Sequence, residues 1–148
     1  MRSAGGREGL VFELNLASGT FPRLRAGGHV YVQQRRTSGW SPPILLSPGS
    51  GRHLAPVAVE NSIGGWLVFW WHLNGEQSTI QFCRLGGSEH DPIPGELLVG
   101  GDCRNVYPAA CADAAGQVWL AWQAEQSGVT PSIFVARRSR IPKDPLMR

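Results

Sequence analysis

The sequence predicts an all-β chain of short antiparallel strands gathered into four-stranded sheets. Three observations lead there. A segment of about 52 residues recurs along the chain. No stretch carries apolar residues at the 3.6-residue spacing of an amphipathic helix, and Gly and Pro punctuate the chain throughout. Finally, Trp66-Leu67-Val68-Phe69-Trp70-Trp71 and Val118-Trp119-Leu120-Ala121-Trp122 do not alternate apolar with polar. A strand with one wet face alternates, so these two runs are expected to be covered on both faces.

The chain has 148 residues, which suits one domain. Hydrophobic residues make up 42% and charged residues 17%, so the chain is too apolar to be intrinsically disordered. Six Trp is a high content. Gly 19 and Pro 11 imply many turns, and they lack the period of collagen. No apolar run reaches the ~20 residues of a membrane-spanning helix. The first residues lead into no hydrophobic region, so no signal peptide is visible.

The repeat sets the elements in order. Residues 9–16 and 29–36 read as the last two strands of a half blade within residues 1–36. A first full blade follows over 37–84 and a second over 85–140, leaving a Pro-rich tail at 141–148. Pro56 corresponds to Pro108, and Leu45-Leu46 to Leu97-Leu98. Trp71 is matched to Trp122, one residue out of step, with the difference assigned to a hairpin loop. Val30-Tyr31-Val32, Ile80-Gln81-Phe82 and Ile133-Phe134-Val135 make a third series. In the second unit the expected strands are 96–99, 107–112, 117–123 and 132–137. Asp113-Ala114-Ala115-Gly116 reads as a hairpin, with Gly supplying the positive φ, and 61–65 does the same in the first unit. Asn74-Gly75 and Gln126-Ser127-Gly128 turn the next corners, and Gly27-Gly28, Gly86-Gly87 and Gly100-Gly101 also read as turns.

Four antiparallel strands every ~50 residues match the blade of a β-propeller. About two and a half blades leave outer faces uncovered. Three arrangements would cover them: a longer propeller of which this is a part, a ring of several copies, or an open stack masked by its own tails. Other blades or copies of the chain are therefore expected partners.

The blade pattern resembles bacterial sialidase-like, or BNR-type, propeller repeats. The likeness rests on Val30-Tyr31-Val32 followed by Ser38-Gly39-Trp40-Ser41-Pro42-Pro43-Ile44-Leu45-Leu46-Ser47, and on Tyr107-Pro108-Ala109 followed by Gly116-Gln117-Val118-Trp119-Leu120-Ala121-Trp122. It covers about residues 29–138. It implies a propeller fold, glycoside chemistry or carbohydrate binding, and, if the chain is truncated at its N-terminus, a bacterial secreted or periplasmic location; the sequence alone leaves the location open. The family's Asp-box, S/T-x-D-x-G-x-x-W, is not matched cleanly: Cys111 stands first, and an extra residue separates Asp113 from Gly116. The family's arginine triad, its Tyr–Glu nucleophile pair and its acid/base Asp match no motif here.

The chemical inventory is thin. Net charge is +3, and thirteen of the fourteen cations are Arg, scattered without interleaved aromatics, so no nucleic-acid surface is expected. Cys83, Cys103 and Cys111 have no metal-ligand spacing and read as buried free thiols, with Cys103 and Cys111 able to pair in an exported chain. His29, His53, His72 and His90 have no H-E-x-x-H spacing. No phosphate loop or nucleophile elbow is present, and no cofactor is expected. Tyr31 reads as core and Tyr107 as structural. The candidate ligand residues are Trp40, in a loop where an indole face suits a sugar ring, and Trp71 with His72 at a strand end. The function these readings support is a non-catalytic repeat module binding carbohydrate or protein, with a sialidase-like glycoside hydrolase as the alternative.

Overall fold

The computed structural model describes residues 9–16, 27–47, 49–60, 65–85, 97–99 and 102–138. These residues form strands and turns with no helix. The strands are β1 (Gly9–Leu16), β2 (Gly27–Arg36), β3 (Gly39–Trp40), β4 (Ile44–Leu45), β5 (Arg52–Glu60), β6 (Trp66–Asn74), β7 (Gln77–Leu85), β8 (Leu97–Val99), β9 (Arg104–Ala112), β10 (Val118–Glu125) and β11 (Ser132–Arg138). Three antiparallel sheets result. The first is β1-β2-β3 with β4 also on β2, the middle is β5-β6-β7-β8, and the last is β9-β10-β11. Gly27-Gly28 lies inside β2 and is not a turn. The hairpin loop at 61–64, the pairs Gly86-Gly87 and Gly100-Gly101, and the tail at 141–148 lie outside the described residues.

The strand expected to open the second blade closes the middle sheet instead. Leu97–Val99 pairs with β7, and Ile44-Leu45 pairs with β2 in the same way. Each is a short final strand laid on the last long strand before the chain crosses to the next sheet.

Two of the sheets repeat one another in register. On β5 three steps from Leu54 to Val57 oppose two steps on β6, from Trp71 to Phe69. On β9 the steps from Val106 to Ala109 oppose Gln123 to Ala121 on β10. Both are bulges, where one strand carries an extra residue. Each is built on a residue before proline with positive φ, Ala55 at 49° and Tyr107 at 53°. This register corrects the alignment read from the sequence. Trp70, not Trp71, corresponds to Trp122, and the spacing is 52 across the β5–β6 and β9–β10 pairs, with no extra residue in the hairpin. The indole-rich run Trp70-Trp71 made the wrong partner look equivalent; backbone pairing decides between neighbours that composition cannot separate.

Alternation along β6 then assigns the faces, since successive side chains point to opposite sides. Trp66, Val68 and Trp70 pack with Val30, Val32 and Leu46 of the first sheet's side. Leu67, Phe69 and Trp71 pack with Val118, Leu120 and Trp122 of the last sheet. Every residue from Trp66 to Trp71 is buried, as the sequence predicts. Each fully buried aliphatic or aromatic side chain contributes roughly 1.5–3 kcal/mol, so these two interfaces hold the stack together.

The same expectation fails for β10. Val118, Leu120 and Trp122 are buried, but Trp119 is 36% exposed and the strand alternates. Among the described residues the last sheet has a neighbouring sheet on one side alone, and its outer face packs against no sheet. Among the described residues, no core cluster joins the first sheet to the last.

Candidate functional site

The three candidate ligand residues do not converge. Trp40, on β3, is 47% exposed, and the Arg35 guanidinium lies 5.7 Å from its centre. Trp71 is buried between the middle and last sheets, with Tyr107 edge-on at 5.4 Å and Arg104 over the ring at 5.5 Å. His72 follows it on the strand and therefore points to the opposite face, where it stacks on His53 at 4.5 Å. Sequence adjacency suggested one site, and the strand period separates the two.

What the fold does assemble is a polar cleft of about 370 Å³ at one end of the middle and last sheets. Three pieces of chain line it: Glu76, Gln77 and Ser78 at the β6–β7 turn; Asp102, Cys103 and Arg104 entering β9; and Glu125, Gln126 and Ser127 leaving β10. Gly75, with φ 59°, lets the first turn close, and Gly128, with φ 75°, closes the β10–β11 turn. The volume is in the range of small-molecule sites.

The floor of the cleft is a hydrogen-bond chain that ties both sheets. Trp71 Nε1 donates to Ser78 Oγ at 2.7 Å, and that hydroxyl donates to the Asn105 carbonyl at 2.7 Å. The Asn105 side-chain amide donates to the Cys103 carbonyl at 3.0 Å, and its Oδ1 accepts from Trp122 Nε1 at 3.0 Å. Ser78 and Asn105 are 3% and 2% exposed, so these bonds satisfy groups that would otherwise be costly to bury. At the rim, Arg104 Nη1 stands 3.4 Å from Glu125 Oε2, and Gln123 Nε2 donates to Glu125 Oε1 at 2.7 Å. Arg104 and Glu125 are partly exposed, which makes the pair an orienting contact more than a stabilising one.

The equivalent place between the first and middle sheets holds imidazoles. His53 stands where Asn105 stands in the last sheet, and its Nδ1 accepts from Trp70 Nε1 at 3.0 Å. Its ring lies between His29 at 5.3 Å and His72 at 4.5 Å. With Nδ1 accepting, Nε2 carries the proton in the neutral ring, and that buried atom makes no hydrogen bond of good geometry. Burial first, then the neighbouring His72 and His29, push the His53 pKa down to about 4. His72 donates from Nε2 to the Ser50 carbonyl at 2.9 Å, with Gln81 Nε2 donating to its Nδ1 at 3.1 Å. Among the described residues, no group of three or more His, Cys, Asp or Glu is arranged to hold a metal ion.

Asp113 is a turn residue. Its Oδ1 accepts from the Ala115 and Gln117 amides, both at 2.9 Å, and its Oδ2 from Trp119 Nε1 at 3.1 Å. The Trp119 bond, then the Gln117 amide, hold this carboxyl below its ordinary range. Gly116 supplies the expected positive φ, 72°. All three thiols are free, but Cys83 alone is buried; Cys103 is half-buried and Cys111 exposed, because both precede or end an edge strand. Burial pushes the Cys83 thiol up to about 12, leaving it inert. Tyr31 is core, at 1% exposure, whereas Tyr107 is 60% exposed over Trp71.

The sequence offered no motif for the cleft, since its residues are ordinary turn residues drawn from three separate corners. The one available signal was the run of turn positions 74–78, 102–104 and 125–128, which any repeat of antiparallel strands brings to one end.

No family model, no curated protein and no solved structure matches this chain. No helix among the described residues is long and apolar enough to cross a membrane.

Proposed function

We propose that the chain is a non-catalytic β-propeller-type repeat module that binds carbohydrate in the cleft between adjacent sheets. One observation carries this reading. The bulge, its positive φ before proline and the tryptophan N–H bonded to a side chain 17 residues earlier all recur at a spacing of 52 residues. A chain that stacks like sheets in one direction is the architecture of propeller blades, and ligands then sit where turns of neighbouring blades meet. The cleft supplies carboxylates, amides, hydroxyls and a guanidinium at close quarters. That mixture of donors and acceptors fits the hydroxyl groups of a sugar.

A glycan array on the full chain tests it. The expected result is a saturable hit lost in Arg104→Ala and Glu76→Gln, with thermal stability retained. A silent array on folded protein sinks the carbohydrate reading. The alternative, a sialidase-like glycoside hydrolase, is favoured by Glu76, Asp102 and Glu125 lining one cleft beside Arg104. Turnover of a fluorogenic sialoside, abolished in Glu76→Gln or Asp102→Asn, would replace the binding reading with that one.

A further inference from the structure

In two of the three sheets, the last long strand carries a short closing strand. β4 lies on β2 with Leu45 opposite Tyr31, and β8 lies on β7 with Leu97 opposite Gln81. The strand in the corresponding place of the last sheet is β11. Its pairing with β10 puts Phe134 opposite Trp122, as pairing in the middle sheet puts Gln81 opposite Trp70. Phe134 is thus the counterpart of Gln81 and Tyr31. Among the described residues β11 pairs with β10 alone, and none of them pairs with its outer edge.

The centre of that edge lacks the usual protection, its charges, Arg137 and Arg138, standing at one end. Exposed edge strands are ordinarily blunted by a central charge, a proline or a bulge. Ile133-Phe134-Val135-Ala136 has no charge and no proline, and its pairing with β10 runs without a register shift. Ile133, Phe134 and Val135 are 69%, 50% and 62% exposed. Phe134 stacks on Trp122 at 5.8 Å, so the strand is held in place at its centre.

We propose that the free edge of β11 is a binding site for a short, extended, apolar strand of a partner protein, added antiparallel with a leucine-like residue opposite Phe134. The chemistry of the occupant is given by the two closing strands already present, Ile44-Leu45 and Leu97-Leu98-Val99: two or three branched aliphatic residues that offer main-chain donors and acceptors. Strand addition draws affinity from the backbone ladder and specificity from alternate side chains. The proposal rests on reading the three sheets as like units, but not on the cleft binding carbohydrate.

The probe is a fluorescent peptide of residues 94–101, Pro-Gly-Glu-Leu-Leu-Val-Gly-Gly, titrated into the full chain and followed by anisotropy and by amide NMR. Saturable one-to-one binding is expected, with shifts confined to residues 132–138 and contacts between Phe134 and a peptide leucine. Methylating the backbone nitrogens of the peptide's second leucine and its valine is expected to weaken binding by about tenfold or more. Val135→Lys, at an exposed position, is expected to abolish it while leaving the melting temperature within a few degrees. Absence of binding overturns the proposal. So does concentration-dependent dimerisation that Val135→Lys removes, since the edge would then belong to a second copy. Exchange protection of the outward-facing β11 amides in the free monomer overturns it too, since the chain would already cover its own edge. A silent glycan array beside a binding peptide would count against the cleft reading alone.

Discussion

β6 and β10 occupy the same place in consecutive sheets, flanked by the same bulge and the same indole hydrogen bond, yet they meet water differently. Leu67 is 3% exposed, whereas its counterpart Trp119 is 36% exposed. Phe69 is 2% exposed, and its counterpart is the half-buried Ala121. Both strands are apolar on both faces, so composition does not explain the contrast. The number of neighbouring sheets does: among the described residues β6 has a sheet on both faces and β10 on one. A side chain's burial belongs to the stack and not to the strand.

Truncation on the two strands should separate most widely. Phe69→Ala opens a cavity between two packed sheets and should cost about 3–5 kcal/mol. Trp119→Ala on the outer face should cost no more than about 1 kcal/mol. Urea unfolding of both variants checks the pair, and equal losses would mean that the outer face is covered in solution.

The next contrast is between His53 and Asn105, which accept the same tryptophan bond in consecutive sheets. The folded-state pKa of His53 lies near 4, below the ordinary 6.5. The unfolded chain therefore binds a proton first as pH falls. Stability should be fully present above about pH 6.5 and decline progressively toward pH 4, by up to about 3 kcal/mol. His53→Asn, which copies the last sheet, should keep the Trp70 bond and flatten this slope. Denaturation midpoints from pH 7.5 to 4 read it directly, and an unchanged slope would remove His53 as its source.

Gly51 tests the same corner by shape. Its φ is 92°, and an added Cβ would stand 2.6 Å from the Leu73 carbonyl oxygen and 2.7 Å from His72 Nε2. Gly51→Ala should cost about 1–3 kcal/mol, seen as a lower melting temperature. The counterpart position in the last sheet holds Cys103, where no imidazole crowds the backbone.

The smallest effect is expected at the β9–β10 hairpin. Because its folded pKa is depressed, Asp113 contributes stability above the ordinary carboxylate pKa, and that contribution fades as pH falls through the folded value. Asp113→Asn should speed hydrogen exchange at Ala115 and Gln117 with little change in global stability. Exchange at the wild-type rate would show that the turn closes without the charge.

Much of the fold was legible because it depends on local chemistry. Val118-Trp119-Leu120 cannot be a solvated helix, and Gly116 after Asp113 marks a hairpin. The site was less legible. Trp71 and His72 looked like one patch because adjacent letters look like adjacent groups, but a period of two sends them to opposite faces of the middle sheet. The cleft joins Glu76, Arg104 and Glu125, which are brought together by strand return and by nothing in their spacing.

By itself the sequence determined the all-β class, most of the long strands and the hairpins at Asn74-Gly75 and Asp113–Gly116, since backbone propensity, turn residues and alternation act over a few residues at a time. The tertiary structure alone decided which tryptophans correspond, which strand closes each sheet, and which apolar faces are dry. Those outcomes depend on hydrogen-bond register and on the presence of a neighbouring sheet, and both are properties of distant segments meeting.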